Sequence, residues 1–176
     1  AMNTFFQSPR LLYRPYCMGD IGDLVRLRNE PSYRAWFYFL PPMDQAAAEA
    51  EIRRSIRTWS RPADILRDAC TLAVVRRDTG ELIGSAGLSK FHGSEQLECV
   101  EIGFEIGEAH QGNGYATEAA DAAAVWGLER LRAAGARPVI TGKAEHENRA
   151  SRRVLEKAGF LFVRAETYCS VYQRTE

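Results

Sequence analysis

The sequence predicts an α/β (α+β) fold: a mixed, mostly antiparallel central sheet of about seven strands with helices on both faces. Two features point to it. Short apolar segments joined by turn residues form a meander up to about residue 106, and a long Ala-, Glu- and Leu-rich stretch of helical spacing follows at 114–133. Beyond it, strand and helix alternate to the end, which is the pattern of a sheet covered on two sides.

Each element has its own signal. Leu11 to Tyr16 reads as the first strand, with Pro15 marking a strand end or edge. Asp20 stands where an N-cap belongs, ahead of a short helix carrying Ile21, Leu24, Val25 and Leu27 on one side. The stretch from Tyr33 to Leu40 is aromatic, and Pro41 and Pro42 stop any helix there. Asp44 caps the next helix, which runs to about Trp59. Thr71 to Arg76 and Leu82 to Leu88 form a hairpin about the turn Asp78-Thr79-Gly80-Glu81. After a loop at His92-Gly93-Ser94, Leu97 to Ile106 is a third consecutive strand. The helix over 114–133 ends at Gly135, a C-terminal capping residue. Val139 to Lys143 is a strand and Arg149 to Lys157 a helix stopped by Gly159; Phe160 to Val163 and Tyr168 to Tyr172 complete the sheet. No repeat or linker interrupts the chain, so residues 2–176 read as one domain, with Ala1 ahead of Met2 read as an expression scar.

Bulk properties narrow the function. The 176 residues are 45% apolar and 26% charged, enough apolar content for a packed core. Lys plus Arg balances Asp plus Glu at 23 each, so net charge gives no reason to expect nucleic acid or an anionic membrane as partner. Cys17, Cys70, Cys99 and Cys169 are scattered, as are His92, His110 and His146, and their spacing fits reduced cysteines rather than a metal site. No apolar run approaches the roughly 20 residues that span a bilayer, and the N-terminus has no signal-peptide pattern, so the expected location is cytoplasmic.

The chemistry lies in Glu101-Ile102-Gly103-Phe104-Glu105-Ile106-Gly107-Glu108-Ala109-His110-Gln111-Gly112-Asn113-Gly114-Tyr115-Ala116-Thr117-Glu118-Ala119: a strand, a glycine-rich turn and the start of the long helix. The first N–H groups of a helix have no internal partner and its dipole attracts anions there. Gly112 and Gly114 let the backbone approach a bulky ligand and aim successive N–H groups at it, which makes a phosphate cradle. A P-loop is excluded because no Gly-Lys-Ser/Thr follows. The dinucleotide fingerprint is excluded too, because Thr117 takes its third small position and the turn follows a meander in mid-chain.

Gln111-Gly112-Asn113-Gly114-Tyr115-Ala116 resembles the Q/R-x-x-G-x-G/A acyl-CoA signature of the GNAT N-acetyltransferases. Thr117-Glu118-Ala119 continues it as in the RimJ/RimL-like branch. Asn148-Arg149-Ala150-Ser151, followed by Glu156-Lys157-Ala158-Gly159-Phe160, resembles that branch's second motif, and Pro9 to Pro15 its first strand. The resemblance covers nearly the whole chain. It implies a splay between the two central strands and acetyl-CoA as co-substrate, with no metal. It also implies an amine acceptor, either a peptide N-terminus or a small molecule.

By this resemblance, the backbone from Gln111 through Gly112, Asn113, Gly114 and Tyr115 to Ala116 holds the CoA pyrophosphate, and Gln111 can donate from its side chain. Phe104, Glu105 and Ile106 lie alongside the pantetheine, whose amides need peptide partners when they leave water. Ser151 is the candidate donor to the departing thiolate, with a water as the alternative. Many relatives carry a tyrosine four positions later, where this chain has Leu155. Asn148 suits both a helix N-cap and a contact with the pantetheine arm. Glu101 is the first choice for general base and Glu98 the reserve. Strand alternation puts Glu101, Gly103 and Glu105 on one face, without saying which face meets the acceptor. Arg149, Arg152 and Arg153 suit either the adenosine 3′-phosphate or solvent. The aromatic stretch from Tyr33 is expected in the acceptor pocket and the last strands are exposed enough to pair in a homodimer. The competing class is a non-catalytic acyl-CoA-binding sensor or regulatory module.

Overall fold

A computed structural model describes residues 5–90 and 100–176. Ala1, His92, Glu98 and Cys99, together with the loop and strand start expected at 92–99, lie outside the described residues. The element order is β1 (Phe6–Gln7), β2 (Leu11–Arg14), α1 (Ile21–Asn29), α2 (Pro31–Trp36), α3 (Gln45–Trp59), β3 (Cys70–Arg76), β4 (Leu82–Lys90), β5 (Val100–Ile106), α4 (Tyr115–Ala133), β6 (Ile140–Glu145), α5 (Arg149–Lys157), β7 (Leu161–Ala165) and β8 (Cys169–Arg174). The strands form one sheet in the order β1-β2-β3-β4-β5-β6-β8-β7. Its eight strands exceed the expected seven by β1, a two-residue pairing of Phe6 and Gln7 with Tyr13 and Leu12 that is too short to leave a periodic signal.

Alternation along the strands divides the core. Leu72, Val74, Ala86, Leu88, Val100, Ile102 and Ile106 pack with α4 and with Leu155 and Ala158 at α5. Ala73, Val75 and Leu82 pack on the other face with Leu24 and Leu27 of α1 and Ala48 and Ile52 of α3. Helices therefore cover both faces. Asp44 caps α3 as expected, its side chain accepting from the Ala47 N–H at 2.8 Å. Asp20 does not cap α1 through its side chain. Instead its carboxylate accepts from both Arg14 guanidinium nitrogens, at 2.7 and 2.8 Å, and from the Cys17 N–H. A buried arginine needs this bidentate partner more than a helix end, which water can satisfy, needs a cap.

One feature of the sheet positions the site. Every strand pair is antiparallel except β5–β6, which is parallel and holds for only two residue pairs, Val100 with Ile140 and Glu101 with Thr141. Beyond that vertex, β5 stays on β4 as far as Ile106 opposite Gly84, while β6 follows β8 to Glu145 opposite Cys169. The central strands therefore splay into a V, leaving β5 from Ile102 to Ile106 without a strand on its β6 side among the described residues. At the far edge lies β7, with Leu161, Phe162 and Val163 exposed. Among the described residues, no helix is long and apolar enough to cross a membrane.

Candidate active site

Because β5 and β6 are parallel, both finish at the same edge of the sheet, and the helices that follow them begin beside the open V. α4 starts after β5 and α5 after β6. Two helix N-termini thus flank the splay, each with a dipole favouring negative charge.

The turn before α4 is built from backbone. Gly112 and Gly114 have φ of 78° and 79°, the left-handed region that glycine enters without penalty, and Gly114 is the N-cap. The first backbone rung of the helix is donated by Glu118 to Gly114 at 3.0 Å. Among the described residues, the amides of Gly112 to Thr117 donate to no partner, so Gly112, Asn113, Gly114, Tyr115 and Ala116 present unused donors. The side chains around them hold the turn in place. The Gln111 amide donates to the Ile106 carbonyl at 2.9 Å and to Ser32 Oγ at 3.2 Å, so it braces the turn rather than facing a ligand. Asn113 donates to the carbonyls of His110 and Gln111.

Arg10, which belongs to the segment resembling the family's first strand, adds a cation at the turn. Its guanidinium lies 4.5 Å from the Tyr115 ring centre and donates to the Asn113 carbonyl at 2.8 Å. Its Nε donates to Glu118 at 2.7 Å. Burial pushes the Glu118 carboxyl up, but bonds from Ser8, the Arg10 N–H and the Arg10 side chain outweigh it and hold the group below its ordinary range. A groove of about 510 Å³ runs past the helix start, lined by Arg10, Gly114, Thr117, Glu118, Asp121 and Lys157. Arg10 meets Glu118 across 108 positions of the chain, so no local pattern in the sequence announces that contact.

At the second helix, Asn148 caps α5, its Oδ1 accepting from the Ser151 N–H at 3.0 Å. Ser151 is half-buried, and its hydroxyl has no partner among the described residues. Leu155 is buried in the core, its side chain against Gly142 of β6, so the position that other relatives give to tyrosine is here a packing residue. Arg152 is engaged by the Tyr172 hydroxyl and the His146 carbonyl, while Arg149 and Arg153 are exposed.

The question of faces is answered by the sheet. Glu101, Gly103 and Glu105 pair across β4 with Ser89, Gly87 and Ser85, on the face opposite α4. Glu101 sits at the vertex of the V. Burial raises its carboxyl above the usual range, opposed by the cation of Lys143 and reinforced by Glu166. Lys143 itself donates to Glu166 at 3.2 Å. Phe104 is half-buried against the main core, and Ile106 closes it. The Glu105 side chain lies at a cleft of about 300 Å³ whose walls include Tyr33, Phe37 and Leu40, with Gly87, Ser89 and Gly103 on the sheet side. Of the aromatic stretch, Tyr33 and Phe37 line this cleft. A Cβ added at Gly103 would meet nothing within 4 Å, so that glycine is open space in the cleft wall.

The two sites are tied together. Glu30, between α1 and α2, accepts from the Glu108 N–H at 2.7 Å, and Glu108 accepts from the Ser32 N–H at 2.5 Å. The glycine turn is therefore clamped to the helix that walls the cleft.

A splayed parallel pair, a helix N-terminus with unused amides and an adjoining cleft are the architecture of the acetyltransferase fold. Residues 10–161 match the acetyltransferase (GNAT) domain, and the chain belongs to that family. It is similar to YjdG of Bacillus subtilis, an uncharacterized N-acetyltransferase, at 35% identity over 89 residues; the match spans 50% of this chain and 49% of that relative. It is also similar to p20 of Bacillus licheniformis, another uncharacterized N-acetyltransferase, at 24% identity over 90% of this chain and 83% of the relative. Among solved structures, an acetyltransferase of Agrobacterium tumefaciens shares the fold with a TM-score of 0.74 and 24% identity, over 100% of this chain and 96% of the other. RimL, a ribosomal L7/L12 alpha-N-protein acetyltransferase solved in complex with coenzyme A, shares it with a TM-score of 0.73 and 17% identity, over 98% of both chains.

Proposed function

We propose that the protein is an acetyl-CoA-dependent N-acetyltransferase, a single domain over residues 2–176, that moves acetyl to a primary amine by direct attack in a ternary complex. The observation that carries this reading is the β5–β6 splay, which opens between two helix N-termini and onto the unused amides of Gly112 to Thr117.

In this reading the amides of the turn hold the pyrophosphate, with Arg10 and Lys157 as neighbouring cations. The pantetheine arm lies along the unpaired side of β5 at Phe104, Glu105 and Ile106, where its amides replace a missing strand. The acceptor arrives from the opposite side through the cleft at Gly103. An alkylammonium has a pKa of about 10, so it must lose a proton before its nitrogen can attack. Glu101 takes that proton through water; its raised affinity for protons brings it nearer to neutral pH, where a general base works best. The new C–N bond forms first, giving a tetrahedral intermediate; its collapse breaks the thioester C–S bond, and the second proton of the nitrogen ends on the departing CoA sulfur. A strand N–H of the splay stabilises the tetrahedral oxygen, and the Ser151 hydroxyl donates to the departing thiolate. Asn148 holds Ser151 at the helix start.

The test is thiol release from acetyl-CoA across a panel of amines and N-terminal peptides, with Ser151→Ala in parallel. Rapid release with one acceptor, slowed by Ser151→Ala at unchanged acetyl-CoA affinity, is the expected result. Tight acetyl-CoA binding with no release for any acceptor would favour the acyl-CoA-binding module instead.

A further inference from the structure

The acceptor cleft carries more chemistry than transfer to a generic amine requires. Its inner end is a half-buried charge cluster. Glu105 Oε1 accepts from Ser85 Oγ at 2.9 Å and faces Arg28 Nε at 3.0 Å. Arg28 in turn donates to the Tyr33 hydroxyl at 2.5 Å and to Glu51 at 3.2 Å. One guanidinium therefore serves two carboxylates, and the cluster is one cation short. Both contacts to Glu105 fall on the same oxygen; Oε2 has no partner among the described residues. A carboxylate oxygen left so in a recess is a site for a donor bearing positive charge.

The outer end is apolar. The Arg28 guanidinium lies 4.9 Å from the Tyr33 ring centre, and Tyr33 stacks on Phe37 at 4.5 Å and 20°. Phe37 and Leu40 line the cleft, while Tyr38 and Phe39 lie next to them, 73% and 67% exposed. Among the described residues lining the cleft, Arg28 is the one cation, and it is already engaged by Glu51 and Glu105. A carboxylate carried next to the acceptor nitrogen would find no free cation among the described residues that line the cleft and would face Glu105.

Resting on the transferase reading, we infer that the acceptor is a primary amine flanked by an apolar, preferably aromatic, group and lacking a neighbouring carboxylate, with its ammonium docked on Glu105 Oε2. This chemistry describes both an arylalkylamine and a peptide with an apolar N-terminal residue, and excludes free amino acids and polyamines. Glu101 and Glu105 stand two residues to either side of Gly103 on the same face, roughly 7 Å along the strand each way. The docked nitrogen at Gly103 is thus held from one side and deprotonated, through water, from the other.

The experiment measures kcat/KM for thiol release at saturating acetyl-CoA with phenethylamine, a tripeptide amide beginning with Phe, L-phenylalanine and spermidine. The expected result is that phenethylamine or the Phe peptide exceeds L-phenylalanine and spermidine by about tenfold or more, since a mismatched polar or charged group is rejected strongly. Which of the two leads identifies the source of the amine. L-phenylalanine or spermidine as the best acceptor would overturn the inference while leaving the transferase reading intact. No release with any amine would overturn both. Glu105→Gln is expected to raise KM for phenethylamine about tenfold at unchanged acetyl-CoA affinity. Because that change disturbs Arg28, Phe37→Ala gives an independent measure at a part-exposed position. It should cut the preference for phenethylamine over ethylamine several-fold, and an unchanged preference would remove the apolar wall from the account.

Discussion

The glycine turn and the cleft at Gly103 lie on the two sides of the same strand, yet they are made of different material. The turn is backbone: left-handed glycines, amides ahead of the first helical rung, and side chains such as Gln111 and Asn113 spent on holding the loop. The cleft is side chain: Arg28 from α1, Tyr33 from α2, Phe37 and Leu40 beyond it, Ser85 from β4 and Glu105 from β5. In the proposed reading, a backbone site recognises what all acyl-CoA donors share and leaves little for substitution to tune. A side-chain site can differ between relatives without disturbing the first. The clamp of Glu30, Glu108 and Ser32 keeps the two in register.

The sharpest way to break this contrast is at the turn. Gly114→Val places a branched side chain where φ is 79° and beside Arg10, and should lower acetyl-CoA affinity roughly 100-fold or more, the equivalent of losing two charge-assisted bonds. Titration calorimetry measures it. Ser151→Ala should leave that affinity unchanged and lower kcat about 100-fold, read in single-turnover thiol release. Gly103→Ala reaches only the cleft. Its Cβ meets nothing and its φ is not positive, so stability should hold or rise by roughly 0.4–1 kcal/mol, while kcat/KM for the acceptor falls about tenfold. Thermal melts beside acceptor kinetics separate the two effects. The smallest effect is a shift in pH dependence. Burial raises the Glu101 carboxyl, and a base works only when deprotonated, so activity should climb with pH through a value above the ordinary glutamate range, about 4.3. In Glu101→Gln that acid limb should vanish from the kcat/KM profile.

The same contrast explains what the sequence made legible. The turn is contiguous, so Gly112, Gly114 and the long helix announce it within a few residues, and the parallel crossover to β6 follows from the strand–helix–strand order. Asn148 and Ser151 are equally local, both lying at one helix start. The cleft is assembled across the chain. Arg28 meets Glu105 only because the end of β5 passes beside α1, and no periodicity states that. Strand alternation grouped Glu101, Gly103 and Glu105, but their face became known only once Val100, Ile102 and Ile106 were seen in the core beneath α4. Glu105, expected beside the cofactor, carries its side chain into the cleft walled by Tyr33 and Phe37 while its backbone remains on the splay. Asp20 misled in the opposite way: a capping residue in the right place was taken by a buried arginine six positions earlier.

The most direct test of the central claim is calorimetric titration of acetyl-CoA into the wild-type protein and into Gly114→Val. The account predicts saturable one-to-one binding by the wild type and its near-complete loss in the variant, with the variant still folded by circular dichroism. Absence of binding by the folded wild type, or equal binding by both proteins, would contradict it.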